Sequence, residues 1–88
     1  MENEWDPAKA AANFAKHGVT FESAEAFEWN RALVEEDRRY TYGEKRFYAL
    51  AEMNGRLYAM IFTRRGRSIR IISFRRANDR ERRRYETD

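Results

Sequence analysis

The chain has no cysteine, one histidine (His17) and one proline (Pro7) among its 88 residues. Without cysteine there is neither a disulfide nor a thiolate metal site. A lone histidine argues against a transition-metal centre, and no spacing of acids resembles a calcium loop. Only four glycines occur, and none belongs to a phosphate-cradling loop or a nucleophile elbow. No apolar run approaches the ~20 residues of a membrane span. The opening Met-Glu-Asn-Glu-Trp also lacks the basic-then-apolar order of a signal peptide. The expectation is a soluble cytoplasmic protein with no metal and no cofactor, making no membrane contact. Any catalysis must then run on His17, carboxylates, tyrosines, lysines and arginines.

What is present is charge of both signs, unevenly placed. Residues 1–37 hold nine acids and three bases, whereas residues 38–88 hold fifteen bases and six acids. The split predicts a basic surface and an acidic one, which bears on partners more than on fold. Charged residues make up 38% of the chain, yet 42% hydrophobic and 15% aromatic content still supports a packed core. The length allows one domain, taken as residues 1–88.

Taken in order, Glu4-Trp5 reads as a short strand or an anchored terminus. Asp6-Pro7 starts a helix, the acid capping free amides and the proline sitting where no amide is needed. That helix runs through Ala8 to Lys16 and stops at Gly18, the usual left-handed residue. Thr20 caps a second short helix through Glu28, with Phe21, Ala24 and Phe27 inward. An edge strand is expected around Ala32-Leu33-Val34, then a loop over residues 37–43. Three strands follow: from Glu44 or Lys45 to Met53, from Arg56 to Arg64, and from Ser68 to Arg75. Asn54-Gly55 is a two-residue hairpin signal, and Arg65-Gly66 makes the next turn. On the first of these strands Phe47, Ala49, Ala51 and Met53 share a face; on the second, Leu57, Ala59 and Ile61 do. The opposite face is read as Arg46, Tyr48, Leu50, Tyr58, Met60 and Phe62. The fold class is α+β: two N-terminal helices on a three- to four-stranded antiparallel sheet, with a C-terminal helix after Ala77.

The densest chemistry lies in residues 64–85, where ten arginines face two acids. Ile69, Ile71, Ile72 and Phe74 interrupt the charge at strand-like spacing. The stretch therefore reads as a buried strand carrying guanidinium groups and leading into an arginine-rich helix. Planar guanidiniums on a rigid support suit a polyanion, and nucleic acid is the leading ligand. Arg64, Arg75 and Arg76 are expected to clamp phosphate, with Arg46, Arg67 and Arg70 contacting RNA. Glu44 and Arg46 begin the central strand and can reach the same mouth, although a cross-strand ion pair also explains them. Lys16-His17 ends the first helix, where the dipole favours an imidazolium; the plain alternative is a histidine bonding the last carbonyls. Tyr40, Tyr42 and Tyr48 can stack bases or simply pack. Such residues suffice for metal-independent RNA cleavage. The 2′-hydroxyl is its own nucleophile, so the protein need only move protons and stabilise charge on phosphorus.

Three groups of residues resemble the BrnT family of bacterial toxins, the ribonuclease halves of type II toxin–antitoxin pairs. They are Trp5-Asp6-Pro7-Ala8-Lys9 with Asn13, Lys16-His17-Gly18-Val19 and Phe21; Gly43-Glu44 with Arg46-Phe47; and Arg70-Ile71-Ile72-Ser73 with Arg75, Ala77, Glu81-Arg82 and Tyr85. The resemblance implies a RelE-like ribonuclease fold, cleavage of RNA and inhibition of translation. It also implies neutralisation by a cognate BrnA-like antitoxin in a toxin–antitoxin hetero-oligomer, with DNA bound only through the antitoxin. By that resemblance the catalytic site draws on Lys16, His17, Glu44, Arg64, Arg75 and Arg76. The competing reading is a non-catalytic basic module that binds nucleic acid or a protein.

Overall fold

In the computed structural model, which describes residues 2–39, 41 and 43–87, a five-stranded sheet carries helices on both faces. The elements in chain order are β1 (Glu2–Glu4), α1 (Pro7–His17), two short 3₁₀ turns (Glu22–Ala26 and Trp29–Arg31), β2 (Leu33–Asp37), β3 (Arg46–Met53), β4 (Arg56–Arg65), β5 (Ser68–Arg76) and α2 (Asp79–Thr87). The strands lie in the order β1-β5-β4-β3-β2. β2 to β5 pair antiparallel, and β1 adds parallel to β5.

The α+β class is as expected, with two departures. The sheet has five strands and is mixed, because β1 pairs with a strand more than sixty residues away in sequence. Its three residues, Glu-Asn-Glu, have no apolar alternation to announce a strand. The second N-terminal helix is replaced by the two 3₁₀ turns. There the Glu28 amide donates to the Glu52 carbonyl at 3.0 Å, which fastens the chain to β3 before a helix can propagate. Thr20 does cap the first turn, accepting from the Ser23 amide at 3.3 Å.

Helix α1 begins and ends as its sequence dictates. Asp6 accepts from the Ala8 amide at 2.9 Å, Pro7 opens the first turn, and Gly18 closes the helix at φ 71°. Asn13, 8% exposed, holds the helix to the sheet. Its amide donates to the Phe74 carbonyl at 2.8 Å and accepts from the Phe74 amide at 3.1 Å. β1 pairs with β5 only over Ser68–Arg70, and Asn13 supplies a partner for Phe74 further along that edge.

Strand alternation then separates the two faces. The two-residue turn at Asn54-Gly55 pairs Met53 with Arg56, Ala49 with Met60 and Phe47 with Phe62. Odd residues of β3 therefore share a face with even residues of β4. This corrects the expected grouping: Tyr58, Met60 and Phe62 lie with Phe47, Ala49 and Met53, under α1 and the 3₁₀ turns, in the main core with Phe21, Phe27 and Phe74. Leu57 and Ala59 lie instead with Tyr48 and Leu50, and pack against Ala77 and Tyr85 beside α2. In β5 the apolar positions have mixed parity: Ile69 and Ile71 are odd, Phe74 is even, and all three are buried in the main core. The register shifts opposite Ile61/Phe62, and this bulge makes that arrangement possible.

Candidate functional site

The face of the sheet beneath α2 is only partly covered. Beyond the helix, β3, β4 and β5 floor a cleft of about 610 Å³ in which Ile61, Ile72 and Ser73 lie among charged groups. Six arginines line it (Arg38, Arg39, Arg46, Arg75, Arg80 and Arg84) along with four carboxylates (Glu35, Glu36, Asp37 and Glu81). The arginines come from β3, β5, α2 and the segment after β2, so four parts of the fold meet at one basic surface.

At its centre stands Glu81, 9% exposed. Its carboxylate accepts from Arg75 Nη1 at 2.7 Å and Nη2 at 2.9 Å, from the Asn78 amide at 2.9 Å, and from the Tyr48 hydroxyl. In return the Glu81 amide donates to Asn78 Oδ1 at 2.8 Å, completing a reciprocal cap at the start of α2. Burial alone would raise the carboxyl's pKa. The hydrogen bonds from Arg75, Tyr48 and the Asn78 amide outweigh it and bring the value to about 2. Tyr48 is pushed the other way, by burial first and then by its bond to Glu81, and stays a phenol throughout the physiological range. A second buried acid, Asp37, holds Arg39 through bonds of 2.9 and 3.0 Å. Arg84 pairs with Glu35 and lies 6.0 Å from the centre of the Tyr48 ring.

The residues expected to act together are not all together. Arg75 and Arg46 line the cleft. Arg64, Arg75 and Arg76 do not form one clamp, because neighbouring residues of a strand point to opposite faces. Arg76 lies 6.0 Å over the Tyr58 ring and Arg64 5.0 Å over Phe47, both aromatics of the α1 side. Arg70 shares the cleft's face but pairs at 3.7 Å with Glu4 of β1. Arg67 is exposed in the β4–β5 turn, and Glu44 lies in the loop before β3, 3.9 Å from Arg65. Lys16 is exposed and His17 half-buried at the end of α1, outside the cleft lining.

His17 is also perturbed against expectation. Its pKa is lowered by burial, then by the charges of Lys16 and Arg75. The imidazolium is thus disfavoured, in part by Arg75 of β5. Tyr40 and Tyr42 lie outside the described residues. Glu81, Asn78, Arg39 and Arg80 are not singled out as site residues by the sequence, and Tyr48 is read there only as a residue that stacks bases or packs. The one available signal was the Asn78-x-x-Glu81 spacing of a capping box, which marks a helix start and nothing more.

Helices on a small sheet, with six guanidiniums and four carboxylates gathered in an open cleft, define a small α+β protein. Residues 5–81 match the family described as the ribonuclease toxin, BrnT, of type II toxin–antitoxin systems. The chain belongs to that family. No match was found among curated proteins. No helix among the described residues is long and apolar enough to cross a membrane.

Proposed function

We propose that this ribonuclease toxin is a metal-independent endoribonuclease that cleaves RNA by attack of the substrate's own 2′-hydroxyl, and so inhibits translation. The observation that carries the reading is the cleft over β3–β5, where five further arginines surround the fixed Arg75–Glu81–Tyr48 group. In this reading Arg75 and Arg80 hold the scissile phosphate and stabilise the charge that grows on it, while Arg46 and Arg39 hold the neighbouring backbone. His17, with Lys16 beside it, accepts the 2′-hydroxyl proton from a strand that crosses the end of β5; the 2′-oxygen bonds to phosphorus, the P–O5′ bond breaks, and solvent protonates the leaving 5′-oxygen. Helices packed on a mainly antiparallel sheet support a RelE-like relationship. A cognate antitoxin of BrnA type would silence the toxin by covering the cleft, and the pair would reach DNA through the antitoxin.

The test is direct. Purified chain should cut single-stranded RNA in the presence of EDTA, leaving 5′-hydroxyl ends, and Arg80→Ala should slow the cut. Expression without the neighbouring gene product should stop growth and translation, and co-expression should restore both. Intact RNA and unaffected growth would count decisively against the proposal. One observation favours a second reading, a binding module without catalysis: Arg75, Arg39 and Arg84 are each paired to a carboxylate. That reading predicts salt-sensitive RNA binding with no scission and no effect of substituting His17.

A further inference from the structure

The cap of α2 and the centre of the cleft are built on the same carboxylate. A capping box needs only a hydrogen-bond acceptor three residues after the cap, and glutamine serves as well as glutamate. Glu81 does more than that position requires. Its two oxygens accept from both Nη atoms of Arg75 and from the Tyr48 hydroxyl, as well as from the Asn78 amide. With four donors converging on it, this carboxylate has no lone pair left to take a proton from a substrate. Its contribution to chemistry must therefore pass through the groups it holds.

The main group is Arg75. Nη1 donates to Glu81 at 2.7 Å and also to the Arg76 carbonyl at 3.3 Å, while Nη2 donates to Glu81 at 2.9 Å. The end-on edge of the guanidinium is thus committed to the carboxylate. Two N–H groups remain, on Nε and Nη2, and no other described residue takes them. They form the side-on fork of the same plane, a geometry that matches two oxygens of a phosphate. Neither an arginine free to rotate nor one held by a single bond would present that fork in a fixed direction.

We infer that Glu81 is a positioning residue of the ribonuclease site: it orients Arg75 so that the guanidinium's side edge meets the scissile phosphate, and it fixes that geometry to the start of α2, next to Arg80. The inference rests on the proposed ribonuclease reading. Released from Glu81, Arg75 still attracts RNA by its charge but no longer meets the transition state in one orientation, so turnover suffers more than binding.

Glu81→Gln separates the two duties, since glutamine retains the capping acceptor and removes the charge. Tyr85→Phe is the control. It deletes the hydroxyl bond to the Arg31 carbonyl (2.9 Å) at the far end of α2 and leaves the cleft untouched. Cleavage of single-stranded RNA should show kcat falling about 10- to 100-fold in Glu81→Gln, the usual size for a supporting partner of a reactive group, with KM changed much less. Tyr85→Phe should lower the melting temperature yet cleave normally per folded molecule. Phenolate absorbance, read against Tyr48→Phe, should show Tyr48 ionising at lower pH once the carboxylate is gone. If wild-type chain cleaves RNA and Glu81→Gln cleaves equally well, the inference is overturned and the ribonuclease reading stands. It is also overturned if Tyr85→Phe loses as much turnover as Glu81→Gln, because helix docking alone would then explain the loss. RNA left intact by the wild-type chain removes both.

Discussion

One sheet carries two unlike faces. Under α1 the strands present Phe47, Phe62, Phe74 and Ile71 to an aromatic core, in which Trp29 meets Phe62 edge-on at 5.2 Å and Phe27 meets Phe74 at 5.7 Å. Towards α2 the same strands present a small apolar patch and then the charged cleft. The difference shows how one sheet gives a short chain two surroundings: adjacent residues share a backbone but belong to different environments. Arg75 and Arg76 are the sharpest case, one held by a buried carboxylate and the other lying over an aromatic ring.

The contrast can be broken first on the core side. Phe74→Ala should cost about 3–5 kcal/mol, enough to unfold much of the protein, as measured by denaturant titration. A loss below ~1 kcal/mol would mean that the aromatic face does not carry the fold. Asn13→Ala should cost roughly 2–4 kcal/mol, because the amide and carbonyl of Phe74 both lose their partner on the α1 side. Arg75→Ala should cost about 1–3 kcal/mol by leaving Glu81 unpaired, and should slow RNA cleavage about 100-fold or more.

Acid separates the faces without mutation. The folded state holds the Glu81 pKa at about 2 against an ordinary 4.5, so the fold favours the ionised form. That stabilisation is complete above the ordinary value and is lost as pH falls from about 4.5 to about 2. Counting solvent screening, it amounts to roughly 2 kcal/mol, and Glu81→Gln should flatten that part of the stability profile. Smallest of all, Arg64→Ala and Arg76→Ala should each cost about 0.5–1 kcal/mol, the worth of an exposed cation over a ring. Both should leave cleavage within about twofold. If either abolished cleavage in a folded protein, assignment of the chemistry to the α2 side would be wrong.

Local signals made much of the fold legible. Asp6-Pro7 and Gly18 bracket α1, and Asn54-Gly55 places the β3–β4 hairpin, because each demands a particular backbone geometry. β1 was legible only as a short strand or anchored terminus at Glu4-Trp5; its span, Glu2–Glu4, and its parallel pairing with β5 have no local signal. The face assignment failed at the hairpin, where a two-residue turn reverses parity between strands, and β5 needed a bulge that the sequence does not announce. As for the candidate site, the arginine-rich stretch supplies three of the arginines that line the cleft, Arg75, Arg80 and Arg84. Density along the chain is not density in space, however, and alternation sent Arg64 and Arg76 to the other side. Glu81 was invisible because its value depends on Tyr48 and Arg75 arriving from different strands.

Asn13 closes a sheet margin with a single side chain. Open margins invite other polypeptides to add a strand, and a small protein rich in β-structure is prone to clump through them. By imitating one rung of a ladder, that amide occupies the backbone of Phe74 on the margin of β5 beyond its pairing with β1. The same side chain that docks α1 thus also occupies a rung that an added strand would need.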